Sequence, residues 1–283
     1  STYDELYFDE VTFSGSTEYT AEGYFWPNVK HLSFAGITQS AGISTNNVAI
    51  DVDANTITVT DYPQQEVGIT NNDLMWFEQT TPAGKTTNAI PVTLNHACSW
   101  IVLNFYGDET AGNTKRPWKI TNVTINDLAA SGKAVLTSSA SWPTNNLGSR
   151  NKDLVVYNNG DKTSGGTGMQ QSDEFTPSAN GIIVIPQRPT SISVTYNYVS
   201  QFGPDNNIET DDIVIEEIAT VNLNYDGTST DGSDWTPWAA GAKYTYDITL
   251  TATGIKIAPT ASTWVDYDSD GTTNGNQSIP GTI

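Results

Sequence analysis

The feature that most constrains this chain is alternation. Apolar residues recur at every second position in segment after segment, and almost nowhere at the three-and-four spacing of a helix. Val48-Ala-Ile-Asp-Val52 and Thr56-Ile-Thr-Val-Thr60 are two such arms around Asp53-Ala-Asn55, and they predict a hairpin with a turn of Asp, Ala and Asn. His31-Leu-Ser-Phe-Ala-Gly-Ile37 sets Leu32 and Phe34 on one face. Residues 6–13, 90–94, 98–105, 118–125, 181–186, 192–199, 213–225 and 243–250 follow the same grammar; in the last, Tyr244, Tyr246, Ile248 and Leu250 share one face. Gly, Asn or Pro interrupts most windows long enough for a helix, and pairs such as Asp226-Gly227 and Asn274-Gly275 mark turns. About sixteen short strands exceed the roughly seven to nine of a single sandwich, so the pattern predicts an all-β chain of two β-sandwich domains in series. The stretch 80–88, short and polar with Pro82 and Gly84, is the predicted joint. This divides the chain into a first domain over 1–85, a second over 86–265 and a tail over 266–283.

Charge and cysteine content narrow the function. Lys and Arg total 12 against 32 Asp and Glu, for a net charge of −20. Phosphate recognition needs a basic stripe, so nucleic acid is excluded as a partner and anionic lipid is disfavoured. A lone Cys98 forms neither an internal disulfide nor a Cys-rich zinc site. No segment approaches the ~18 apolar residues of a membrane span. The opening Ser-Thr-Tyr-Asp-Glu is polar and acidic rather than signal-like, which leaves either a cytosolic protein or a processed mature form. Charged residues make up 16%, below the typical ~25%, while Thr, Ser, Asn, Gly and aromatics are abundant, a mixture that suits an extracellular β-protein.

The sequence carries no Gly-x-Ser-x-Gly elbow, His-Glu-x-x-His, Walker loop or dinucleotide fingerprint, so no catalytic residue and no enzyme activity are expected. Cys98 stands two residues from His96, but a nucleophile needs a base in reach and a third orienting group, and the spacing implies neither. Cys98 reads as a buried small thiol, and His31 and His96 as packed or surface residues. No cofactor is expected, with one candidate exception. Asp266, Asp268 and Asp270 followed by Gly271 match the opening of a calcium loop, although position 12 is Gln277 rather than a bidentate Glu. Trp235 and Trp238, around Pro237, are candidate glycan-stacking residues; the competing reading has them capping the end of a sandwich.

In their order, these segments resemble the fimbrillin family of Bacteroidetes surface pili. Phe25-Trp-Pro-Asn28 with Leu32-Ser-Phe34 is similar to the family's opening, and Asp73-Leu-Met-Trp76 to its Asp-Leu-Leu-Tyr segment. Val92-Thr-Leu-Asn-His-Ala-Cys-Ser-Trp-Ile101 resembles a strand that enters His-Ala-Leu-Ser-Lys-Ile, with Cys98 and Trp100 in place of the usual Leu and Lys. Ile183-Val-Ile-Pro-Gln187, Tyr244-Thr-Tyr-Asp-Ile-Thr-Leu250, Gly254-Ile-Lys-Ile257 and Trp264 resemble the closing strands, so the likeness covers about 24–265.

The resemblance implies transthyretin-like sandwiches, export as a lipoprotein, and removal of an N-terminal segment by an Arg-specific protease. It further implies polymerisation into a type V pilus by donor-strand exchange, on the outer membrane surface, with identical subunits as partners and a surface glycan or protein as receptor. Arg116 and Arg188 precede prolines, which leaves Arg150-Asn151 as the one chemically easy Arg bond, and the fold must protect it. The donor would come from the C-terminal tail, with Trp264, Val265, Tyr267, Ile279 and Ile283 as anchors; Pro280 cannot donate a backbone hydrogen bond. The competing functional reading is a lectin-like, carbohydrate-binding surface module.

Overall fold

The structure, a computed structural model, describes residues 30–38, 43–51, 54–67, 73–80, 92–107, 118–158, 181–201, 213–223, 237–251 and 254–263. Among these residues there are fifteen strands, two short 3-10 turns and no α-helix. The strands are β1 (Ser33–Ile37), β2 (Val48–Asp51), β3 (Thr56–Pro63), β4 (Met75–Thr80), β5 (Asn95–His96), β6 (Ser99–Gly107), β7 (Trp118–Ala129) and β8 (Ser131–Leu136). They continue with β9 (Ala140–Ser141), β10 (Arg150–Asn158), β11 (Ile182–Val184), β12 (Ser191–Gln201), β13 (Ile213–Asn222), β14 (Ala242–Thr251) and β15 (Gly254–Thr263). The alternating sequence is an all-β chain, as expected.

Four sheets result, ordered β1-β4-β5, β2-β3-β8-β9, β10-β7-β12-β13 and β11-β6-β14-β15. Every pairing is antiparallel except β6 with β14, which run parallel from Trp100 beside Lys243 to Gly107 beside Leu250. Two apolar cores sit between them. One holds Ile57, Val59, Tyr62, Leu74, Trp76, Ala134, Leu136 and Trp142; the other is built on Ile101, Leu103, Phe105, Val123, Ile125, Val194, Tyr246 and Ile248. Burying such side chains stabilises by roughly 1.5–3 kcal/mol each before ordering costs.

The two cores do not divide at one point in the chain. Strand β8 pairs with β3, Ile57 beside Leu136, so residues 131–136 complete the first sandwich although they follow two strands of the second. Strand β11 serves both: Ile182 and Val184 enter one core, while Ile183 and Ile185 pack against the other. The predicted joint at 80–88 falls mostly outside the described residues. Buried glutamines tie the two cores together. Gln64 Nε2 donates to the Ile183 carbonyl at 2.9 Å, and the Ile185 N–H donates to Gln64 Oε1 at 3.1 Å. Gln187 Oε1 accepts from the Ala129 N–H at 2.9 Å, and its Nε2 donates to the Ile185 carbonyl at 3.1 Å.

The predicted 48–60 hairpin is present, with Val48 beside Val59 and Asp51 beside Thr56. Its turn is locked by the Ala54 N–H on Asp51 Oδ1 at 2.9 Å and by Asn55 at φ 58°. Two longer strands break alternation with an extra residue. Buried positions step from Val59 to Tyr62 and from Ile125 to Leu128, and in each step an Asp takes a left-handed conformation, Asp61 at φ 53° and Asp127 at φ 53°. The ladder shifts register at both places, as a β-bulge requires. The expected strand at 90–94 is not formed over 92–94; pairing begins at Asn95, opposite Trp76. Val92 is 51% exposed, so no packed face holds that stretch in a sheet.

Candidate assembly site

At one end of the first sandwich its two sheets do not close on each other. Ala35 from β1 and Trp76 from β4 face Ile50 from β2, Ile57 from β3 and Leu136 from β8 across a shallow, mainly apolar groove. Alternation explains how these residues come together. Val48 and Ile50 share one face of β2; Val48 reaches the core, while Ile50, one step nearer the hairpin turn, remains 55% exposed at the groove mouth. The rim is tied by Asn55 Nδ2 donating to Glu78 Oε1 at 2.9 Å, which links the hairpin to the opposite sheet.

Two buried polar atoms among the groove's lining residues have no hydrogen-bond partner: the indole N–H of Trp76 and the side-chain carbonyl of Asn55. One is a donor and the other an acceptor. The groove itself is apolar, and the two unpaired polar atoms are buried behind its lining. Sequence reasoning did not single out Ile50, Asn55 or Trp76. The alternation of β2 carried the signal for Ile50, but not the fact that nothing in the facing sheet covers it.

A second cluster resembles a catalytic triad in composition and not in geometry. His96 Nδ1 bonds Asp73 Oδ2, and Cys98 lies fully buried with its thiol donating to the Tyr62 hydroxyl at 3.8 Å. Burial first, and then the nearby Asp73 carboxylate, push the Cys98 thiol well above its ordinary pKa. A nucleophilic cysteine needs the opposite, a stabilised thiolate with access to substrate. The cluster joins the approach to β4 with β5 and β6, and Cys98 is the inert core thiol that the sequence suggested. His31 lies exposed ahead of β1.

The remaining expected site residues separate into two groups. Trp238 is 1% exposed, and its indole N–H donates to the Tyr246 hydroxyl at 2.8 Å, which in turn donates to the Leu223 carbonyl at 2.8 Å. Its ring is part of the second core and has no free face on which a sugar could stack. Pro237 is exposed beside it, which is why the local sequence looks like a surface loop. Trp235, the calcium candidates Asp266, Asp268 and Asp270, and the tail anchors Trp264, Val265, Tyr267, Ile279 and Ile283 lie outside the described residues. Among the described residues, no group of three or more His, Cys, Asp or Glu side chains is placed to hold a metal ion. No helix there is long and apolar enough to cross a membrane.

Comparison with known proteins extends this geometry. The family model for fimbrillin-like proteins matches residues 1–264. No curated protein matches the sequence. Among solved structures, a fimbrial protein from Bacteroides vulgatus ATCC 8482 is similar at 14% identity and a TM-score of 0.56, over 85% of this chain and 80% of that one. A protein from Bacteroides uniformis ATCC 8492 assigned to cell adhesion is matched at 14% identity and a TM-score of 0.49, over 86% of this chain and 78% of that one. At 14% identity the likeness to the Bacteroides vulgatus protein speaks to the fold alone.

Proposed function

The chain belongs to the fimbrillin-like family, and on that premise we propose that it is a non-enzymatic structural subunit of a cell-surface fimbria that supports adhesion and polymerises by donor-strand exchange. The observation that supports the mechanism is the apolar groove of the first sandwich, where Ile50 stands exposed above Ile57 and Leu136. A donated strand would cover Ile50 and place alternate side chains against the apolar lining of Ile57 and Leu136.

The donor in this reading is the tail of a neighbouring subunit, with Trp264, Val265, Tyr267, Ile279 and Ile283 as its apolar anchors. Each anchor buried contributes roughly 1.5–3 kcal/mol, so five contribute roughly 8–15 kcal/mol gross, before the cost of ordering the tail. Proteolytic removal of an N-terminal segment would open the groove to the donor and so act as the trigger. The working location is the exterior of the outer membrane, where identical subunits are the main partners and a surface glycan or protein is the receptor. The net charge of −20 fits short-range assembly, because like-charged subunits repel until apolar contacts and backbone pairing take over.

The test is polymerisation of Ile50→Asp. The side chain is exposed, so the variant should fold and melt like the parent, yet a carboxylate at the groove mouth opposes an apolar strand. Normal filaments from this variant would remove the groove from the mechanism.

A further inference from the structure

The last described strand ends close to the first sandwich. Strand β15 runs back along β14, so Thr263 stands beside Ala242. Strand β14 in turn runs parallel to β6, with Lys243 beside Trp100. Just ahead of both, the Gly241 N–H donates to the Cys98 carbonyl at 2.8 Å. Cys98 belongs to the first core, and its thiol donates to the Tyr62 hydroxyl at 3.8 Å. The chain therefore leaves the second sandwich where the two cores meet, not at its far end. Residues 264–283 follow from that point.

The distance from there to the groove is set by the register. Thr263 lies two strand spacings of about 4.8 Å from β6. Along β3, Tyr62 lies five residues at about 3.4 Å from Ile57, which lines the groove. With the Cys98–Tyr62 contact between them, the path comes to about 30 Å. The twenty residues of 264–283, extended, reach up to about 66 Å. Residues 264–273 bridge the path, and residues 274–283 remain to lie in the groove.

The tail changes chemistry at that division. Asp266, Asp268 and Asp270 all fall in the bridging half, while 274–283 carry no charged side chain. Among the described lining residues Glu78 alone is charged, so the groove accepts an uncharged apolar strand and opposes an acidic one. Ile279 and Ile283 are four positions apart, so an extended strand sets both on one face.

We propose that the tail also closes on the groove of its own chain, with Ile279 and Ile283 entering it, and that this closed subunit competes with donation to a neighbour. The proposal rests on the strand-donation reading given above. A flexible bridge of ten residues holds the end of the tail near its own groove at an effective concentration on the order of 1 mM. For the same contacts, a subunit at about 1–10 μM therefore closes on itself in preference to a neighbour by a factor of about 10²–10³. Donation to a neighbour adds contacts that self-closure leaves out. Trp264 follows Thr263 directly and cannot travel about 30 Å, and Val265 and Tyr267 stay within the bridge. Dilute subunits are thus held closed, and the fuller contact with a neighbour wins as they crowd.

The test is disulfide trapping in the full chain. Ile50→Cys, at an exposed position, is combined with Ile279→Cys and, as a control, with Trp264→Cys; the buried Cys98 does not take part. Each pair is oxidised at subunit concentrations from about 1 to 100 μM, and the products are sized under denaturing conditions. The Ile279 pair should give mainly cyclised monomer at the lowest concentration, and its ratio of intermolecular to cyclised product should rise at least about tenfold across the series. The Trp264 pair should give no cyclised monomer, because one residue cannot cover the distance. Intermolecular bridges alone from the Ile279 pair, at every concentration, overturn self-closure and leave donation to a neighbour standing. A ratio that stays constant overturns the competition. Cyclised monomer from the Trp264 pair overturns the reach on which self-closure depends. The absence of any bridge from either pair overturns self-closure and strand donation together, so the two readings fail distinguishably.

Discussion

The side-chain carbonyl of Gln64 accepts the Ile185 N–H at 3.1 Å, and the same amide returns a hydrogen bond to the Ile183 carbonyl at 2.9 Å. One glutamine from the first sandwich thus acts as a strand partner for the segment shared by both cores. Gln64→Leu keeps much of the volume and leaves two buried backbone groups without partners. The expected loss is about 2–4 kcal/mol, since each orphaned group costs about 1–3 kcal/mol. Because β11 feeds both cores, calorimetry and tryptophan fluorescence should still report one coincident transition. A drop confined to one sandwich would show that the seam does not couple them.

Cys98 gives a pH prediction whose sign follows from burial. Its thiol is pushed well above its ordinary pKa in the folded chain, first by desolvation and then by Asp73. The unfolded chain releases that proton near pH 8.5, and the folded chain retains it. Above that pH the folded state binds more protons than the unfolded state, so stability falls as pH rises. Below it the group contributes no slope. Denaturant unfolding from pH 7 to 10 should show this decline, and Cys98→Ala should lose that part of it. A thiol reagent at neutral pH should label the native protein only at the rate of unfolding.

The left-handed aspartates mark where the strands bend. Asp61 and Asp127 both stand at φ 53°, a conformation that Asn, Asp and Gly tolerate and β-branched residues do not. Asp61→Val should cost about 1–2 kcal/mol, and Asp61→Gly should lie within about 0.5 kcal/mol of the parent. Equal losses for Val and Gly would mean that the side chain, not the backbone, carries the effect.

Arg150 illustrates how pairing shields a cleavable bond. It opens β10 opposite Ala129, with Nε donating to the Asp127 carbonyl at 3.2 Å and a second guanidinium nitrogen reaching the Pro189 carbonyl at 3.5 Å. A protease must hold its substrate as an extended, unpaired strand, and this one is already paired. Arg-specific digestion of the folded chain should leave Arg150-Asn151 intact, and digestion in denaturant should cut it. Rapid native cleavage there would contradict the register of β10 on β7.

Which parts of this fold the sequence reveals depends on range. The hairpin of Val48 to Thr60 was legible because its turn chemistry, Asp51 and Asn55, lies within it. The strands around Leu103, Ile125, Val194 and Ile248 were legible because their apolar alternation is dense. Strand β8 was not, because its buried face begins with Gly132 and Ala134, which carry little hydropathy. Its pairing with β3 is long-range, and so the division of the cores could not be read from a linker. Trp238 shows how local sequence leaves two readings open, of which the packed one holds. Its neighbours suggest a surface turn, but Tyr246 supplies the hydroxyl that lets the indole be buried. The groove at Ile50 depends on what the facing sheet leaves uncovered, which no local pattern encodes.

The central claim is assembly by a tail strand entering the groove that holds Trp76 and Ile50. Its most direct measurement is negative-stain electron microscopy of the chain, with and without residues 264–283 and with Ile50→Asp. The account predicts filaments from the intact chain, none from either altered one alone, and shorter filaments when either altered subunit is mixed with the parent, because each caps one end. Filaments of normal length from the tail-deleted chain alone would contradict it.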